Sequence, residues 1–339
     1  MIGLFAQSPH TLRESADRAG VLVGTAVRPS LFSEVPYSAT LAREFNMVEP
    51  EDAMKWWVVR HDQGFDFRLG DEVVAFAQAH GMKVRGHCLA WDHDNPQWLS
   101  EQRFTTDQMA KLLQDHIITV MKHYAGKVFA WDVVNEALNE KGDAKDSPWY
   151  NKPGIGLSGK RTAYVEQAFR WAHEAEPHAL LFYNEAEAEG MNRKSDGVYA
   201  MMRDFKERGV PIDGVGLQMH ITPDFDTDSL SANIDRLSKL GLQVHITELD
   251  VSLPVKPCAS AGQQDLELQA DVYRRVLEAC LMRRGCTAVQ MWGFTDKWSW
   301  IGSHSQGRRG SALIFDRMYR PKPAYEAMLG ALNSSAEIH

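Results

Sequence analysis

The sequence predicts an α/β fold, a single (β/α)8 TIM barrel. Three observations carry that expectation. Eight short apolar runs alternate with longer stretches of helical periodicity along the chain. The runs are almost continuously apolar, as strands of a parallel sheet covered by helices are. Eight is also the number of strands that closes such a sheet on itself.

The strands are expected at 21–27 (VLVGTAV), 45–51 (FNMVEPE), 83–91 (KVRGHCLAW), 128–136 (VFAWDVVNE), 180–185 (LLFYNE), 214–221 (GVGLQMHI), 242–251 (LQVHITELDV) and 288–296 (AVQMWGFTD). Between them, residues 68–80 carry Leu69, Val73, Phe76, Ala77 and His80 at helical steps. Residues 105–123 carry Met109, Leu112, Leu113, Ile117 and Val120 behind a Thr106 cap. Further helices are expected at 161–175, 193–208, 228–240, 264–284 and 322–332. Gly81, Gly209, Gly241 and Gly285 follow four of them, where a left-handed cap favours glycine. No linker, low-complexity segment or composition break divides the chain, so residues 1–339 read as one catalytic barrel domain with no separate binding module. The longest irregular stretch, 139–160, reads as a functional loop.

Composition narrows the function. The chain carries 37 basic and 45 acidic residues, a net charge of −8, without a basic cluster, which argues against nucleic-acid and anionic-membrane partners. No uninterrupted apolar stretch is long enough to span a bilayer. Ten Trp and nine Tyr supply flat amphipathic surfaces that suit a neutral ligand such as a sugar. The N-terminus lacks a basic region followed by an apolar run, so no signal peptide is read. Cys280 and Cys286 are close enough to bridge a helix exit, while Cys88 and Cys258 have no evident partner. A monomer is expected.

The strand ends are the informative feature. Most strands begin apolar and end polar: Glu49, Glu51, Asp52 and nearby Lys55 after the second; His87 and Trp91 on the third; Asn135 and Glu136 on the fourth; Asn184 and Glu185 on the fifth; Gln218 and His220 on the sixth; Glu248 and Asp250 on the seventh; Trp292 and Asp296 on the eighth. In a barrel these ends share one face, and that face holds the active site. Taken alone, Asn135-Glu136 reads equally as a helix cap, and His220 as a core histidine. Convergence of seven polar ends on one mouth is hard to explain as capping.

No metal or cofactor is expected: the histidines are scattered, and neither H-E-x-x-H nor C-x-x-C is present. Phosphate-loop and G-x-S-x-G patterns are absent too. Two strand-end glutamates with abundant tryptophan fit glycosidic bond cleavage, in which one carboxyl is protonated and the other ionised. Asp250 lies two residues beyond Glu248, on the same side of a strand, and a hydrogen bond from His220 would favour ionised Glu248. Glu136 follows an apolar, aromatic strand and is the expected proton carrier, with Asn135 beside it for a sugar hydroxyl.

RGHCLAW, WDVVNE, GLQMHI, ITELDV, MWGFTDKWSW and RPKPAYEAM, in that order along the chain, resemble the endo-β-1,4-xylanases of glycoside hydrolase family 10 over nearly the full chain. The resemblance implies Glu136 as acid/base and Glu248 as nucleophile, with retention of configuration. It places Asn135, His87 and Gln218 around subsite −1, and has His220 and Asp250 steer the ionisation of Glu248. Glu51, Lys55 and Trp91 would hold sugars at −2 and −1, and Trp292 and Trp300 would wall the glycone site. It further implies a Cys280–Cys286 disulfide, a cis peptide between His87 and Cys88, and xylan or xylo-oligosaccharide as partner. A polymeric substrate implies secretion. Three positions depart from the family pattern: Asp52 where Asn is usual, Asp92-His93-Asp94 after Trp91, and Ala186-Glu187 after Asn184-Glu185. Asp52, three residues before Lys55, is read as its ion-pair partner. Competing readings are a related retaining glycosidase acting on β-glucans or short xylo-oligosaccharides, and a carbohydrate-binding barrel without catalysis. The presence of both glutamates and their supports argues against the last.

Overall fold

Runs that bury both faces become strands, and the amphipathic stretches between them become helices that cover the sheet. The computed structural model describes residues 10–62, 64–157, 161–256 and 260–336. The strands are β1 (Leu22–Val27), β2 (Met47–Pro50), β3 (Lys83–Ala90), β4 (Ala130–Asn135), β5 (Leu180–Glu185), β6 (Gly214–Leu217), β7 (Gln243–Val251) and β8 (Cys286–Met291). The principal helices are α1 (Leu12–Ala19), α2 (Val35–Glu44), α3 (Arg68–Ala79), α4 (Thr106–His123), α5 (Ala163–Ala175), α6 (Arg193–Glu207), α7 (Thr227–Ser238), α8 (Gln263–Leu281) and α9 (Pro323–Ala336). Each strand pairs in parallel with the next, and β8 pairs with both β7 and β1, so the sheet closes. The (β/α)8 barrel expected from the sequence is the fold observed.

Helix periodicity reads directly as burial. On α4, Met109, Leu113, Ile117 and Val120 are all buried, a single stripe against the barrel. Its N-cap is Thr105 rather than Thr106: the Thr105 side chain accepts from the Gln108 N–H, and Gln108 reaches back to the Thr105 N–H. The same device starts α1, where Thr11 and Glu14 form a capping box. Neither α1 nor α2 figures among the sequence-read helices, although T-L-R-E is a legible start signal. Gly81, Gly209 and Gly241 are left-handed as expected. Gly285 is not; it stands where a Cβ would lie 2.1 Å from the Ser238 hydroxyl, so packing and not capping requires it. The sixth strand ends early at Leu217 and resumes at His220–Ile221, beside Asp250–Val251, with Met219 left-handed between them (φ 71°). The eighth starts two residues before its expected position and ends at Met291, leaving Trp292 to Asp296 beyond the sheet.

Cys280 and Cys286 form a disulfide joining the end of α8 to the start of β8, as the resemblance implies. Cys88 is free and buried, and Cys258 lies outside the described residues. No helix among the described residues is long and apolar enough to cross a membrane.

The barrel interior beneath the mouth is charged. Arg85 of β3 is fully buried and forms a bidentate pair with Asp132 of β4. Its remaining nitrogen donates to His245 Nδ1 of β7 at 2.8 Å, and its guanidinium lies over the Phe182 ring. His245 Nε2 contacts the Thr287 hydroxyl at 2.9 Å. Burial, then the adjacent Arg85, holds the His245 pKa well below its usual value, so a neutral ring accepts from Arg85. Breaking such a pair leaves a charge stranded in the interior, whereas removing both charges does not. Arg85→Met is therefore expected to destabilise the protein by about 3–5 kcal/mol. The double variant Arg85→Met/Asp132→Leu should recover part of that loss. Chemical denaturation of the three proteins checks this, and equal stability of Arg85→Met and wild type would contradict it.

Candidate active site

A regular strand sends alternate residues to opposite faces. Three barrel strands break that rule where the site is built. Register shifts occur in β3 between His87 and Ala90, in β4 between Asp132 and Val134, and in β7 between Ile246 and Leu249. Each shift resets the alternation. Asp132 and Asn135, three residues apart, thus both turn inward, as do His245 and Glu248. The lower member of each pair contacts Arg85 and the upper lines the mouth. The His87–Cys88 peptide is cis, in agreement with the resemblance. Glu136 is left-handed (φ 52°), so it and Asn135 reach one cavity although they are consecutive.

That cavity has a volume of about 660 Å³. The structure brings to it every site residue expected from the sequence: Glu51, Asp52, Lys55, His87, Trp91, Asn135, Glu136, Gln218, His220, Glu248, Asp250, Trp292 and Trp300. Asp296 does not join them; it is turned away and pairs with Lys322 at 2.9 Å.

Glu248 has a fixed donor on each oxygen. Asn184 Nδ2 donates to Oε1 at 2.8 Å, and His220 Nε2 lies 3.1 Å from Oε2. The other His220 nitrogen meets Asp250 Oδ2 at 2.9 Å, and Trp300 Nε1 donates to the same oxygen at 2.8 Å. Burial opposes a charge on His220, but Asp250 and Glu248 outweigh it and hold its pKa well above the ordinary value. The imidazolium therefore donates to both carboxylates.

Glu136 is surrounded differently. Gln218 Nε2 donates to its Oε1 at 2.9 Å, and Lys145 Nζ stands 3.5 Å from its Oε2. Burial would raise its pKa, but the Gln218 hydrogen bond and the Lys145 charge prevail and lower it. The apolar surroundings expected from the strand are not what this carboxyl meets, because the left-handed turn carries it off the strand toward polar groups. An amide relay joins the two glutamates: Asn184 Nδ2 also donates to Asn135 Oδ1 at 2.9 Å, and Gln218 Nε2 approaches that oxygen at 3.3 Å. Beneath Glu136, burial pushes Glu185 up to about 7, against Lys194 at 2.9 Å and the Tyr183 hydroxyl.

At the other end, Lys55 is clamped between Asp52 Oδ1 (3.0 Å) and Asp94 Oδ2 (2.9 Å). The expected Asp52–Lys55 pair is thus present, and Asp94 completes it. Burial opposes the lysine charge, and the two aspartates override it and raise its pKa. The ammonium lies 5.0 Å from the Trp91 ring centre and 6.0 Å from that of Trp292. Glu51 is held by Arg28 through two hydrogen bonds of 2.6 and 2.7 Å.

Sequence reading gave no role to Asn184, Lys145, Asp94 or Arg28. Asn184 was visible as a polar strand end, and Lys145 lies in the long loop marked as functional. Nothing local pointed to Arg28. That loop also braces the mouth: Trp149 is buried and donates its indole N–H to the Trp91 carbonyl at 2.7 Å. Among the described residues, Glu49, His87 and Asp132 lie close enough to share a cation, but Arg85 already supplies the positive charge there.

Residues 11–331 match the family model described as glycosyl hydrolase family 10. The chain is 39% identical over 332 residues to endo-1,4-beta-xylanase B of Thermotoga neapolitana, covering 96% of this chain and 93% of that protein. It is 35% identical over 324 residues to an endo-1,4-beta-xylanase of Agaricus bisporus, covering 94% and 93%. The fold superposes on native xylanase 10B from Thermotoga maritima with a TM-score of 0.91 at 38% identity, covering 97% of this chain and 100% of that one. For xylanase 10B from Thermotoga petrophila RKU-1 in complex with xylobiose the TM-score is 0.92 at 38% identity, with 97% and 99% covered.

The flanking carboxylates should keep His220 doubly protonated beyond about pH 6.5, where an ordinary histidine loses its proton. Nitrogen NMR of the labelled protein at about pH 7.5 is expected to show both ring nitrogens of His220 protonated. A neutral-imidazole signature there would contradict this account of the site.

Proposed function

The chain belongs to glycosyl hydrolase family 10, and on that premise we propose that Glu248 and Glu136 are the nucleophile and acid/base of a retaining endo-1,4-β-xylanase. The enzyme hydrolyses internal bonds of xylan or xylo-oligosaccharides by double displacement. The relative solved with xylobiose supports the substrate class. The contrast between the two carboxylates carries the assignment of roles. Both Glu248 oxygens are held by fixed donors, and its side chain is 6% exposed. Glu136 is 19% exposed and faces the cavity beside a lysine, open to exchange protons.

In the first step Glu248 attacks the anomeric carbon while protonated Glu136 gives its proton to the departing glycosidic oxygen. The bond to the leaving sugar breaks, and a glycosyl ester forms on Glu248. Water then attacks the same carbon, Glu136 takes its proton, and the ester breaks with overall retention. His220 and Asn184 stabilise the carboxylate that attacks and later departs. Asn135 lies beside both glutamates, where the 2-hydroxyl of the sugar in subsite −1 is expected. His87 and Gln218 line the same subsite. Glu51, Asp52, Lys55 and Trp91 hold the glycone, walled by Trp292 and Trp300.

Variants at the two glutamates should fail differently. Glu248→Ala should lose activity on every β-xyloside, whatever its leaving group. Glu136→Ala should lose about 10²–10⁴-fold on xylan. It should still release dinitrophenolate in a burst from an aryl xylobioside, since that group needs no proton. Azide should restore its turnover and give a β-azide. A β-azide from Glu248→Ala, with Glu136→Ala inert, would reverse the roles.

Lys145 sets a second expectation. Its charge favours ionised Glu136, but the first step needs Glu136 protonated. Lys145→Met raises the Glu136 pKa, so the protonated acid persists to higher pH. The alkaline limb of the kcat/KM profile on xylohexaose, whose departing sugar needs the proton, should move upward. A limb that stays put or moves down would exclude Lys145 from this role.

A further inference from the structure

Beside the main cavity lies a second depression of about 490 Å³. The two meet at Asp94, which lines the depression while its Oδ2 bonds Lys55 in the cleft at 2.9 Å. Trp57, Arg60, Asn95, Gln97 and Trp98 also line it. Trp56, the preceding residue, is buried with its indole N–H on the Leu89 carbonyl at 2.6 Å, and Trp57 faces outward, 48% exposed. The Trp57 backbone N–H donates to the Asp94 carbonyl at 3.2 Å, which ties the indole to the residue shared with the cleft. Two buried polar atoms of this lining, Asn95 Oδ1 and Trp98 Nε1, have no hydrogen-bond partner in the protein.

A single exposed tryptophan is ordinary on a protein surface. This one lies in a concavity with a carboxylate, a guanidinium and amides, next to a cleft that holds a polymer. A pyranose has the matching chemistry, an apolar C–H face for the indole and a rim of hydroxyls for the polar groups. We propose that this depression is an additional sugar-binding subsite that continues the cleft past Lys55 and takes a further xylose of the same chain with its face on Trp57. It rests on the reading that the Lys55–Trp91 end holds the glycone.

The test uses aryl β-glycosides of xylobiose, xylotriose and xylotetraose, which release the chromophore only by cleavage at the aryl end. Added sugars therefore extend only the glycone. In the wild-type enzyme kcat/KM should rise as the glycone lengthens beyond two sugars. Trp57→Ala should remove that rise, a loss of a few-fold to about tenfold, mostly in KM, and leave the xylobioside unchanged. Trp57→Phe should retain part of it. A wild-type rise that survives in Trp57→Ala, an equal loss on all three substrates, or no wild-type rise would overturn the proposal. A wild-type enzyme inactive on every xylo-oligosaccharide would instead mark failure of the underlying xylanase reading.

Discussion

The pairing of Arg85 with Asp132 is the constraint from which the site is built. Both side chains are fully buried inside the barrel, where an unpaired charge is very costly. Each partner is therefore surrounded by groups that satisfy it. His245 takes the third Arg85 nitrogen, and His87 meets Asp132 at 3.0 Å. Gln290 donates to Glu49, which lies 3.6 Å from Arg85. Burial, with Asp132 close by, pushes the Glu49 carboxyl up, which lessens the negative charge gathered around one guanidinium. Burial disfavours charge on His87, but its hydrogen bond to Asp132 raises its pKa.

This floor sets the height and direction of the groups above it. His87 joins the two levels, with one nitrogen on Asp132 and its ring edge-on to Trp292 at the cavity wall. The amides of Asn135, Asn184 and Gln218 form the next level and hold the glutamates in relation to each other. Thr247 fixes the orientation of the Asn184 amide by donating to its oxygen at 2.8 Å, leaving the nitrogen to face Glu248 and Asn135. Preorganised polar groups of this kind stabilise charge without having to reorganise as it develops.

The two ends of the cleft differ in how they hold charge. Around Lys55, the carboxylates of Asp52, Asp94 and Glu51 are each held in an ion pair, so sugars would meet rings and paired ions there. On the Glu136 side Lys145 comes from a loop and stands 3.5 Å from its carboxylate, beyond an ordinary hydrogen bond. In the proposed mechanism, that is where a proton comes and goes. Trp149, in the same loop, braces Trp91, so loop 139–157 affects both ends of the site.

The sequence by itself determined the eight strands, most of the helices and the polar strand ends, because those depend on local periodicity and on which residues tolerate burial. It also pointed to Glu136, Glu248 and the other polar strand ends that line the cavity, since strand ends converge on one face of a barrel; Trp300, which ends no strand, came from the family resemblance. Three things were decided only by tertiary structure. Register shifts in β4 and β7 turn residues three apart to the same side, and no local pattern announces them. Long-range partners such as Lys145 for Glu136, Arg28 for Glu51 and Asp94 for Lys55 are 9, 23 and 39 positions apart, so their proximity exists only once the chain has folded. The environment of Glu136 followed from both: its strand is apolar in sequence, but its carboxyl meets Gln218 and Lys145 because the backbone turns left-handed at that residue.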